Sequence, residues 1–268
     1  MQSSKDQMIL EDASSIVEEG RKRGLYLRLL GAVGVRVNAA AHENLFEKLN
    51  RLNSENKFTD VDFAAYSNQR SEVRKFLQEL GYDANQQALM MHGNSRMIFE
   101  HPGKGYHVDV FFDRLRYSHD VEFGKSPRDG RLGLHSITIS PTDLMLEKLQ
   151  IHEINEKDIK DLVMLFVANS IGQEDGDHRI NASYLASILA QDWEFFYECK
   201  VNLERLRNFL AKYSDQNLVD KETASIVSER INELDALLDR EPKTKNWEKR
   251  SRAGAGKKWW RDIEEISR

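Results

Sequence analysis

Two short runs constrain this chain most: Thr59-Asp60-Val61-Asp62-Phe63 and His107-Val108-Asp109-Val110-Phe111-Phe112. Each alternates an acid with apolar residues, and alternation at period two is the signature of a strand. On a strand, Asp60 and Asp62 leave the same face, roughly 6.6 Å apart along the backbone. Asp109 interrupts a second apolar run, where burying a lone carboxylate is expensive and Asp is disfavoured. Acids also alternate with apolar residues on the wet face of an ordinary amphipathic strand. The second acid-bearing run favours the alternative: carboxylates on neighbouring strands forming an oxygen-rich site for Mg²⁺. Such a site suits two-metal phosphoryl or nucleotidyl transfer.

Upstream, Leu25-Tyr26-Leu27-Arg28-Leu29-Leu30 reads as a buried strand. Gly31-Ala32-Val33-Gly34 follows, then a helical pattern through Leu45, Phe46 and Leu49. Strand, small-residue turn and helix can aim backbone N–H groups and a helix N-terminus at a phosphate. Gly31 and Gly34 equally permit close helix–sheet packing.

In this order (strand, glycine turn, helix, D-x-D strand, later acid-bearing strand) the chain resembles the nucleotidyltransferase superfamily of the polymerase-beta type. It looks most like the bacterial branch related to AbiEii-type toxin nucleotidyltransferases. His135–Gln150 resembles that branch's strand-to-helix junction, with Lys148 at the lysine position, and Glu156–Leu162 resembles its K-D-x-x-D-L run. The resemblance covers about residues 25 to 166. It implies that Asp60, Asp62 and Asp109 hold Mg²⁺, as two ions, and that Asp109 also orients the acceptor. It further implies that Gly31, Ala32 and Lys148 meet the nucleotide, and that Asp158 positions Lys148 or the acceptor. One departure stands out: the family turn carries Gly-Gly or Gly-Ser where this chain has Gly31-Ala32, so no hydroxyl is offered there. A surface salt-bridge network among Lys148, Asp158 and Asp161 is an equal reading of those three residues.

The expected fold is α+β: a nucleotidyltransferase-like mixed sheet flanked by helices over residues 1–140, with a short N-terminal helix. An all-helical region over 141–268 follows, ending in a basic, Trp-containing tail. Strands are expected at Gln87–Met91, Arg96–Glu100, Tyr106–Phe112 and Leu134–Ile139. Helices are expected at Ser71–Leu80, closed by Gly81, and throughout the chain after Pro141. Gly172–Asp177 is acidic but lacks the full calcium-loop pattern and reads as a solvated turn.

Composition narrows the setting. Hydrophobic content of 40% over 268 residues, with 12 Phe, supports a sizeable core. The single Cys199 excludes an internal disulfide or a Cys-rich zinc site. The polar, acidic start lacks a signal-peptide core, and no apolar run reaches membrane-span length, so the expectation is a cytoplasmic protein with no membrane partner. Residues 243–261 carry eight basic side chains against one acid, Glu248, a net +7 within a chain of net −5. Trp247, Trp259 and Trp260 are interleaved with them. Tryptophans near a chain end more often pin a terminal segment to the core. RNA or another polyanion is the second reading of the same residues.

The resemblance thus implies a Mg²⁺-dependent nucleotidyltransferase that moves a nucleoside monophosphate from an NTP to an unknown acceptor (small molecule, tRNA or protein hydroxyl) and releases pyrophosphate. The alternative is a weak or inactive relative that keeps the fold as a nucleotide- or RNA-binding module.

Overall fold

A computed structural model describes residues 4–49 and 58–262. The chain opens with helix α1 (Ser4–Lys22), strand β1 (Arg28–Leu30), helix α2 (Gly31–Asn38) and helix α3 (Glu43–Leu49). Strand β2 (Asp60–Ala65), helix α4 (Arg70–Glu79), strand β3 (Asp83–Ala84) and helix α5 (Gln86–His92) follow. Next come β4 (Arg96–Glu100), β5 (His107–Phe112) and the hairpin β6 (Arg114–Arg116) and β7 (Asp120–Glu122). Helices α6 (Pro141–Leu149) and α7 (Glu156–Ala168) lead to short strands β8 (Ser170–Gly172) and β9 (Arg179–Asn181). Helices α8 (Ala182–Leu189), α9 (Trp193–Asp215), α10 (Lys221–Arg240) and α11 (Lys245–Ser251) complete the order.

The class is α+β, with a mixed five-stranded sheet in the order β1-β2-β5-β4-β3. β2 and β5 run parallel and the other neighbours antiparallel. One face of the central pair is apolar: Val61, Phe63, Val108 and Val110 are all fully buried. Because side chains alternate, the opposite face must carry Asp60, Asp62, His107 and Asp109. Helices α6 and α7 pack with α2 beside this sheet. All nine residues of α6 are buried, so this helix forms part of the core.

Three expectations on secondary structure are corrected. Gln87–Met91 belongs to helix α5: the Asn85 side chain caps it by accepting from the Ala88 N–H, and Gln, Ala, Leu and Met are good helix formers. Leu134–Ile139 is not a strand, since only Thr138 bridges to Leu29. The His135 ring accepts from the Thr138 N–H and holds the segment in a local turn instead. The region after Pro141 is not wholly helical, because β8 and β9 form a small parallel pair. The acidic loop between them is a turn with Gln173, Glu174 and Asp177 exposed, but one of its residues is tied to the fold. Asp175 accepts hydrogen bonds from Arg131, Thr142 and Asn181, and its carboxyl is held below the usual range: those donors outweigh the opposing effect of burial.

The basic tail folds back onto the molecule. The Trp259 indole N–H donates to buried Glu198 at 2.7 Å, and Trp260 stacks on His152 with ring centroids 3.7 Å apart. Arg250 pairs with Glu194 and lies over Trp193, and Arg261 pairs with Asp120. Trp247 packs edge-on against Phe196. The tryptophans therefore pin the tail, and Trp259→Ala should destabilise the fold by about 3 kcal/mol through lost packing and the loss of one of the donors to buried Glu198, which keeps His152. Lys257→Ala with Lys258→Ala should be nearly neutral, since exposed charges contribute little. Urea denaturation of the two variants checks the ranking, and equal losses would show that the tail is not held by its rings.

Candidate active site on the acidic face of the sheet

Strand register builds the site. β2 pairs with β5 so that Asp60 lies opposite His107 and Asp62 opposite Asp109. Directly opposed residues in neighbouring strands share a face and sit about 5 Å apart. Asp109 is fully buried, while Asp60 and Asp62 keep partial access to solvent. Although it is not fully covered, Asp62 lies deep among protein atoms. Its carboxyl is pushed well above the ordinary 3.8, first by burial and then by the charges of Asp60, Asp109 and Glu147. Arg96 acts in the opposite direction.

Three residues at this face were not singled out in the sequence. Arg96, at the start of β4, donates to Asp109 Oδ2 at 2.5 Å with its own side chain 15% exposed. Its guanidinium lies 4.9 Å from the Phe111 ring centroid, and Phe111 meets Tyr117 edge-on. The Tyr117 hydroxyl is pushed upward by burial and then by the Asp62 charge, which places its ring in the field of the acids. Glu147, the residue before Lys148, is buried and accepts from the Gly31 N–H at 3.0 Å. Burial raises its carboxyl as well, partly offset by Lys148. Glu147 lies beside Lys148 within His135–Gln150, but nothing local in the sequence marks it. Arg96 becomes visible only once the β4–β5 register is known.

The glycine turn behaves in a more specific way than small-residue packing. Gly31 has φ of +65°, and a Cβ there would lie 2.4 Å from Asp62 Oδ2. The residue must therefore be glycine both for its backbone conformation and for its approach to the acid. Helix α2 starts at Gly31 without a side-chain cap. The Gly31 N–H is taken by Glu147, so the turn does not present this donor to a phosphate. Ala32 is partly buried and packs against the core. Gly31→Ala should destabilise the protein by roughly 2 kcal/mol from the left-handed backbone alone. It should also displace Asp62; chemical denaturation and a crystal structure of the variant check both points, and an unstrained, neutral variant would contradict them.

Lys148, Asp158 and Asp161 come together, but not on the surface. Lys148 Nζ is 3.1 Å from Asp158 and from Asp161, and 3.6 Å from Glu147. Lys148 and Asp161 are buried, so the network belongs to the interior. It adjoins the acid face through Glu147.

A divalent cation is implied by the resemblance, and the donor types fit one. Asp60, Asp62 and Asp109 offer carboxylate oxygens from one face of two paired strands, the ligand chemistry Mg²⁺ prefers. Among the described residues, however, no three acidic, His or Cys side chains are gathered into a ready metal-binding group. Among those residues, too, no helix is long and apolar enough to cross a membrane. Comparison with protein-family models, curated proteins and solved structures finds no match to the chain.

Proposed function

We propose that the chain is a nucleotidyltransferase-like enzyme that transfers a nucleoside monophosphate from an NTP to an acceptor hydroxyl in the cytoplasm. The observation that carries this reading is the pairing of Asp62 with Asp109 in register, with Asp60 on the same face and the Gly31 backbone packed against Asp62. Asp60, Asp62 and Asp109 would hold Mg²⁺, which would supply charge stabilisation for the triphosphate and a polarised phosphorus. The acceptor oxygen bonds to the α-phosphorus while the bond from that phosphorus to the β-phosphate bridge breaks and pyrophosphate leaves. Asp109 orients the acceptor hydroxyl and takes its proton. Lys148, held by Asp158 and Asp161, fixes the position of Glu147 and through it the Gly31 turn.

The second reading, a nucleotide- or RNA-binding module without turnover, has two observations in its favour: the Gly31 N–H is already engaged by Glu147, and Ala32 has no hydroxyl. Incubation with each of the four α-labelled NTPs, MgCl₂ and cell extract separates the two. Transfer of label with release of pyrophosphate is expected. Binding of NTP or RNA with no transfer to any extract fraction would favour the module.

A further inference from the structure

We propose that Arg96 is a positioning residue that competes with the divalent cation for Asp109, and so sets the cation concentration at which the acid site loads. The inference rests on the reading of this face as a cation-dependent nucleotide site.

Three observations carry it. First, Arg96 and Asp109 form a close pair, 2.5 Å apart, with 15% and 0% of their side chains exposed. A buried carboxylate needs a partner, and removing one member of such a pair leaves an uncompensated charge. Second, the guanidinium reaches Asp109 diagonally. In the antiparallel register Arg96 opposes Phe111, while Asp109 opposes Ile98. The Phe111 ring beneath the guanidinium holds it on that diagonal. Third, Asp60, Asp62 and Asp109 share a face, yet no described trio of acidic, His or Cys side chains is gathered for a metal. In this arrangement Asp109 Oδ2 is directed to the Arg96 guanidinium. A divalent cation entering between Asp62 and Asp109 carries twice the charge and must displace Arg96 from that oxygen. The displaced fork of N–H donors is matched to phosphate oxygens, so a bound triphosphate would favour the exchange.

The test is a Mn²⁺ titration of the full-length protein without nucleotide, with free Mn²⁺ read by electron paramagnetic resonance. Arg96→Gln should bind Mn²⁺ at least tenfold more tightly than the unaltered protein, and Arg96→Lys should fall between. A purely structural role would lower stability without tightening Mn²⁺ binding, and that result would overturn the inference. Should Arg96→Gln fail to fold, the unaltered protein decides: its Arg96 Nε–H nuclear magnetic resonance signal should shift as Mg²⁺ saturates the site, and an unchanged signal would overturn the inference. If unaltered protein and variant alike bind no Mn²⁺ even with NTP present, the nucleotide-site reading itself fails. If both bind Mn²⁺ equally, only the role of Arg96 fails.

Discussion

Asp62→Asn is expected to stabilise the protein in the absence of metal while lowering nucleotidyl transfer roughly a thousandfold, about 4 kcal/mol of barrier. The two effects share one cause. Asp62 is crowded by Asp60, Asp109 and Glu147 and lies deep among protein atoms, so its carboxyl sits well above the 3.8 it has in an open chain. A raised carboxyl binds a proton in the folded state at pH values where the unfolded chain has released it. Stability therefore falls as pH rises from about 4 through the folded value, and the loss is complete above it. Asparagine removes that penalty. The gain in melting temperature should accordingly be absent at pH values below the open-chain carboxyl and should grow toward pH 8. Thermal melts in EDTA across this range check the sign. A variant less stable than the unaltered protein at pH 8 would reassign Asp62 to a structural network.

Lys148→Met should have the opposite signature and a comparable size. Lys148 is the cation shared by Asp158, Asp161 and Glu147 in a buried setting. Removing it leaves buried acids uncompensated, a change that typically costs about 3–5 kcal/mol. Glu147, already raised by burial, can take up a proton as pH falls, so the deficit should shrink on the acid side. The Gly31 turn should loosen along with Glu147, which amide exchange at Gly31 would report. A variant of unchanged stability would show that the network is dispensable and that Lys148 has another role.

The acid face was legible in the sequence because strand alternation needs no partner to be recognised: the spacing of Asp60 and Asp62 places them on one face wherever the strand lies. Asp109 was legible as an anomaly, an acid in an apolar run. Its explanation was not, because Arg96 lies thirteen residues away and meets it only through the β4–β5 register. Cross-strand partners depend on register, which a single sequence does not encode locally. Gln87–Met91 was misassigned for a related reason. A short apolar run has no usable period, and the deciding signal was the Asn85 cap just before it. Lys148, Asp158 and Asp161 were linked by the resemblance or as a surface network, but Lys148 lies on α6 and the two acids on α7, and the depth at which these helices pack is not revealed by local spacing. The tail's tryptophans announced packing by composition, whereas their acceptor, Glu198, sits on a distant helix.

The claim that this face is a cation-dependent nucleotide site is tested most directly by equilibrium binding of a non-hydrolysable NTP analogue, with Mg²⁺ and with EDTA. The account predicts binding in Mg²⁺, its loss in EDTA, and its loss in Asp60→Asn and Asp62→Asn even when Mg²⁺ is present. Equal binding with and without Mg²⁺, or binding undiminished by both substitutions, would contradict it.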